Sequence, residues 1–230
     1  HAVSEEQSVT DVLAKVQAGE ADAGLVYVTD AKAAGDKVKG IPFEEEPVMT
    51  GAKDEAVLSC SPLGKVPFLR TAQGPLCESE AIMGYLEAIA PNPPLLPADP
   101  YAAAKVRELS IFIDLHLELV ARELYAQAFF GGTVSEDTQA SVRKRLSKNI
   151  PAFKRLAKFS PYVAGDAFTQ ADCAAWVSLP LVGMATRLAL GEDLLLAHGM
   201  DWKPYAAFIG QRPHAQRVAA DRKAAQEQLS

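Results

Sequence analysis

The sequence predicts two domains, an α/β domain ending near Ala90 and an all-helical domain beginning near Tyr101. Three observations carry this prediction. Short runs rich in β-branched and aromatic residues alternate with weak helical stretches as far as Leu69. Between Pro91 and Pro100 the chain then reads PNPPLLPADP, and five prolines in ten residues cannot continue a helix. From Tyr101 onward apolar residues recur at helical spacing to the end of the chain. The expected organisation is an α/β domain over residues 1–90, a linker over 91–100 and a helical domain over 101–230.

The elements follow in order. Ser8 to Glu20 places Val9, Val12, Leu13 and Val16 on one helical face, with Ser8 and Asp11 as a capping-box-like start and Gly19 as a stop. Ala23 to Thr29 reads as a strand, Asp30 to Val38 as a weak helix interrupted by Gly35, and Ile41 to Met49 as a second strand with an acidic edge. Lys53 to Leu58 is a short helix or turn, and Glu78 to Ala90 is a helix that closes the first region. In the second region Tyr101 to Phe130 is a long apolar-faced helix and Glu136 to Phe159 an amphipathic one that Pro151 is expected to break or kink. Thr169 to Leu188 is apolar on nearly every face and is expected to be the buried central helix. Its entry, Phe168-Thr169-Gln170-Ala171-Asp172-Cys173, carries a capping box in Thr169 and Asp172. Trp202 to Gly210 and a terminal helix opened by Pro213 complete the set.

Composition narrows the function classes. The chain has 230 residues, of which 49% are hydrophobic and 23% charged, as in an ordinary soluble globule. A net charge of −6 argues against a nucleic-acid or anionic-membrane surface. Cys60, Cys77 and Cys173 form no disulfide framework and no metal spacing, so no metal is expected and a reducing compartment, the cytoplasm, is. The first residues do not read as a secretory leader, and beginning at His1 rather than Met the sequence reads as a fragment or a processed product.

The chemistry concentrates between Ser61 and Ser79. Pro62 and Gly64 make a turn that feeds a short β run, and Pro67 interrupts that run where a proline cannot donate to a ladder. A second turn at Gln73-Gly74-Pro75 leads to an apolar pair and then to Glu78-Ser79 at a helix start. A proline that blocks pairing leaves the backbone of Val66 available to a ligand. A helix start carrying a carboxylate and a hydroxyl offers groups for an ammonium and for a carboxylate. A small zwitterionic peptide needs all of these. Read one by one, Pro67 is an edge-strand residue and Glu78 a helix cap; the ordered set, with a helical domain behind it, says more.

That set resembles the glutathione transferase family over about residues 39–230. The resemblance implies a thioredoxin-like first domain, Pro67 as a cis-proline, and Lys65, Val66, Pro67, Glu78 and Ser79 as the glutathione-binding residues. It also implies a small electrophile as second substrate, a pocket wall drawn from Ile113, His116 and Tyr125 with Phe129 near by, and a homodimer. Core packing is the equal alternative for each of those pocket residues. In that family a hydrogen-bond donor, aided by a helix N-terminus, favours the thiolate of glutathione, which attacks the electrophilic carbon.

Residues 1–38 depart from that pattern. Ser8-Val9, Leu13, Val16, Gly19-Glu20 and Ala23 to Ala31 resemble a fragment of a periplasmic molybdate-binding protein, so the chain looks chimeric with a junction in Lys37 to Phe43. In that second family the positions of Val9 and Tyr27 contact an oxyanion. Two arrangements are open. Either Gly24–Thr29 replaces the transferase's first strand and sets Thr29 near the sulfur, or residues 2–29 form a complete β-α-β unit that brings Ser4 or Ser8 there. Thr29, Ser4 and Ser8 are therefore the candidate sulfur-activating residues, with capping and turn roles as the plainer alternative for each. A non-catalytic binding protein on the same scaffold is the competing function, and oxyanion binding a third.

Overall fold

The structure is a computed structural model that describes residues 53–229, with side chains described as far as residue 223. The expected elements before Lys53, and with them Ser4, Ser8, Val9, Tyr27 and Thr29, lie outside the described residues. The described residues divide into two compact units, one up to residue 93 together with those from 212 onward, the other residues 94–211.

In the first unit a short helix α1 (Glu55–Leu58) starts at Asp54, whose carboxylate accepts the amide of Ala56 at 2.8 Å. Strands β1 (Phe68–Thr71) and β2 (Gly74–Cys77) form an antiparallel hairpin. The turn is organised by Thr71. Its hydroxyl donates to the Gly74 carbonyl at 2.7 Å and accepts the amides of Gln73 and Gly74 at 3.1 and 3.2 Å. Gly74 has φ 138°, a conformation that strains any residue with a Cβ. Arg70 ties the hairpin to α1, donating to the Ala56 carbonyl at 3.2 Å and to the Cys60 sulfur at 2.8 Å. Helix α2 (Ser79–Ile89) follows β2 directly, as expected from the sequence. The unit also holds the terminal helix, Pro213–Leu229. The sequence reading assigns that helix to the helical domain over 101–230. Its small and charged residues carry no strong apolar face to say which core it joins.

The second unit is helical. Helix α3 (Pro100–Phe112) begins where Pro100 sets φ and Asp99 accepts the Ala102 amide at 2.7 Å. The rod continues through a π-helical turn (Ile113–Glu118), a short α4 (Leu119–Ala121), a 3₁₀ turn (Arg122–Leu124) and α5 (Tyr125–Phe129). The single helix expected over 101–130 is thus one rod with two changes of winding. Helix α6 (Glu136–Leu156) starts at Ser135 and continues through Pro151 without a break. The expected break is absent because Pro151 faces solvent, where water can satisfy the carbonyl that loses its partner.

Helix α7 (Gln170–Leu190) is the core element, buried along Ala171, Ala175, Leu179, Val182 and Ala185. Its length and composition would suit a membrane span, yet it packs against the π turn, α3, α5 and the two short helices α8 (Leu194–Ala197) and α9 (Trp202–Ile209). The capping box at its start is present. Asp172, fully buried, accepts the amide of Thr169 at 2.8 Å and the amide of Val163 at 2.9 Å, and the Tyr205 hydroxyl donates to it at 2.8 Å. With the Thr169 hydroxyl donating at 3.2 Å as well, both oxygens of that carboxylate are bonded within the fold. Among the described residues no strand follows Cys77, only an isolated bridge between Tyr162 and Gly165.

Candidate functional site

The hairpin register builds the site. Phe68 pairs with Cys77 as the last pair of the ladder. The residues just outside that pair, Val66-Pro67 on one side and Glu78-Ser79 on the other, therefore leave the same end of the hairpin. Two motifs that stand eleven residues apart in the chain are neighbours in space for this reason alone.

On the β1 side Ser61 organises the approach. Only 2% of it is exposed, its carbonyl accepts the Gly64 amide at 2.8 Å and its hydroxyl accepts the Lys65 amide at 3.1 Å. The Val66-Pro67 bond is cis, as the resemblance implies. Val66 is 43% exposed and lies beyond the ladder, so the β1–β2 pairing does not use its backbone. Lys65 is exposed beside it.

On the β2 side Glu78 has φ 69° and ψ 121°, a conformation rare for a residue with a side chain. Such a residue costs roughly 1–3 kcal/mol and persists where the surroundings require it. Its side chain makes no capping bond to α2, while its carbonyl accepts the Ile82 amide at 3.0 Å. The backbone thus starts the helix and the exposed carboxylate is directed elsewhere. Ser79 is the first residue of α2, with its hydroxyl beside first-turn amides that have no acceptor within the helix. The arrangement offers a carboxylate for a cation, a hydroxyl and a positive helix end for an anion, and peptide groups for a backbone.

The family model for the glutathione S-transferase N-terminal domain matches residues 37–94. A glutathione S-transferase of Pseudomonas putida is 40% identical over 186 residues, 81% of this chain and 84% of that protein. The chain belongs to the glutathione S-transferase family. The transferase fold is shared with a glutathione S-transferase of Methylobacterium radiotolerans solved in complex with glutathione sulfonate. That structure gives a TM-score of 0.60 at 22% identity, covering 91% of this chain and 89% of that one. A stretch of 43 residues, 19% of this chain, is 63% identical to the molybdate-binding protein ModA of Mycobacterium tuberculosis and covers 16% of that protein. The transferase match starts at residue 37, beside the junction expected at Lys37 to Phe43.

The expected pocket residues of the second unit separate. Ile113 has no exposed surface and belongs to the core, because it continues the buried face of Val106 and Leu109 at helical spacing, and the turn it opens packs against α7. It has no face to offer a substrate. His116 is exposed, its ring 4.8 Å from that of Phe112 and its carbonyl accepting from Asn149 at 2.8 Å. Tyr125 is half-buried, edge-on to Phe129 at 5.0 Å, and its hydroxyl donates to Glu118 at 2.9 Å. Burial, and then the Glu118 carboxylate, push the Tyr125 phenol well above its ordinary range, so it stays a neutral donor. Arg122 completes this group through Nε and Nη2 at 3.0 and 2.8 Å from the same carboxylate. Sequence reading missed Glu118, although its spacing of four to Arg122 and seven to Tyr125 was a visible helical pattern.

Proposed function

We propose that this transferase binds glutathione at the hairpin end formed by Val66, Pro67, Glu78 and Ser79 and joins its sulfur to a small electrophile. Glu78 meets the ammonium of the γ-glutamyl group, and Ser79 with the first turn of α2 meets its carboxylate. The Val66 backbone pairs with the middle of the peptide and Lys65 flanks it. The observation that carries this reading is the Phe68–Cys77 pairing, which brings the two halves together. In the reaction the thiol loses its proton, and the resulting thiolate attacks an electrophilic carbon. A C–S bond forms and the displaced electron pair leaves with the leaving group or is protonated.

Sulfur activation needs a donor upstream of Lys39, where Thr29, Ser4 and Ser8 are the candidates. The molybdate-binding-like segment stands there in place of the expected transferase unit, so turnover below that of a typical family member is part of the proposal. The same segment favours the second reading, a non-catalytic glutathione-binding protein of chimeric origin. A cytoplasmic homodimer is proposed as well. It is supported by the low, odd cysteine count and by exposed Ile111, Leu115 and Leu119 along the α3–α4 rod. Calorimetry with glutathione and turnover with a generic aromatic electrophile test these readings together. Binding with turnover supports the enzyme, and binding without turnover supports the scaffold reading. No binding discards both.

A further inference from the structure

Helix α6 carries a charge pattern that the transferase reaction does not use. Between Val142 and Lys158 the sequence has seven lysines and arginines and no carboxylate, in a chain whose net charge is −6. Val142, Leu146, Ile150 and Phe153 are buried on one face. Lys144, Lys148, Pro151 and Arg155 line the opposite, exposed face at spacings of four, three and four. Arg143 and Arg145, on the flanks, are already paired with Glu192 and Glu123, each at 2.6 Å. Lys154 caps α8, donating to the carbonyls of His198 and Gly199 at 2.8 and 3.0 Å. Among the described residues no carboxylate pairs with Lys144, Lys148 or Arg155. The helix dipole accounts for cations in the last turn but not for Lys144 and Lys148 in the middle.

We propose that this face of α6 docks an acidic segment of a protein partner. The row spans about 16 Å, about three helical turns. The chemistry of its surroundings selects among polyanions. None of the exposed large apolar side chains lies on α6, so it has nothing to insert into a lipid interface and no ring on which a base could stack. Duplex nucleic acid is repelled at long range by the chain's negative charge, whereas a short acidic segment feels the row within a Debye length. Asp137 lies on the same face two turns before Lys144 and ends the row with opposite sign, which gives the match a direction.

The test uses the full chain and a fluorescent glutamate-rich peptide of about ten residues, followed by anisotropy at roughly 50 and 200 mM salt. The proposal predicts saturable binding at low salt that weakens several-fold at the higher salt. It predicts a loss of about tenfold in K144Q/K148Q/R155Q, smaller losses in each single variant, and no change in the control K203Q. A 20-base-pair duplex and vesicles of phosphatidylserine with phosphatidylcholine serve as competing probes. Circular dichroism and glutathione binding verify that the variants keep their fold, and the single variants stand in if the triple variant does not. No peptide binding at low salt, unchanged binding in the folded variants, or tighter binding to duplex or vesicles would each overturn the proposal.

Discussion

Phe68 stands opposite Cys77, and this pairing sets Pro67 beside Glu78 at one end of the hairpin. Everything proposed for glutathione follows from it. Slipping the register by one residue would turn every side chain of β2 to the other face and separate the two motifs. The hairpin turn fixes that register through Thr71 and Gly74, so the turn matters to the site although it lies at the far end.

The first prediction separates strain from recognition at Glu78. Glycine at this position relieves a backbone at φ 69° but removes the carboxylate. Glu78→Gly should leave the thermal midpoint unchanged or slightly raised while glutathione affinity falls at least tenfold. A lowered midpoint with intact affinity would show that the conformation serves folding and not the ligand.

At the helix start, Ser79→Ala should weaken glutathione binding by about 1–3 kcal/mol, the value of a hydrogen bond to a charged group. Stability should change little, because Ser79 is exposed and is not the capping residue of α2. Calorimetry and urea denaturation read the two effects separately.

The division between motif and context explains how much could be read in advance. The capping box at Thr169 and Asp172 and the helix start at Glu78 depend on neighbours within a few residues, and they stand where the sequence puts them, while the cis bond before Pro67 stands where the family resemblance put it. The burial of Ile113 follows the same local logic, since it continues the stripe of Val106 and Leu109 at helical spacing. The Tyr205 bond to Asp172 joins residues 33 apart, and only packing reveals it. Pro151 looked like a break because proline's cost depends on which face of the helix it occupies.

Packing around α7 supplies a stability test. A Cβ on Gly183 would lie 2.5 Å from Trp202 Nε1 and 2.9 Å from Asp193 Oδ2, the two atoms that bond each other at 3.0 Å. Gly183→Ala should therefore destabilise the protein by about 1–3 kcal/mol. An unchanged urea midpoint would contradict this placement of α9 against α7.

The Tyr205–Asp172 bond predicts an alkaline effect. Burial, and then the Asp172 carboxylate, raise the Tyr205 phenol far above its ordinary range. Its folded-state pKa exceeds the unfolded one near 10, so its contribution is complete below about pH 10 and is lost as pH rises above it. Stability should fall steeply above that pH in the parent and less steeply in Tyr205→Phe, which should also be about 1–3 kcal/mol less stable at pH 8. Equal slopes in the two proteins would remove Tyr205 from the account.

The most direct test of the central claim is calorimetric titration of the full chain with glutathione, alongside the double variant Glu78→Gly/Ser79→Ala. The account predicts one saturable site per chain in the parent and none measurable in the folded double variant. No saturable heat in the parent, or the same affinity in both proteins, would contradict it.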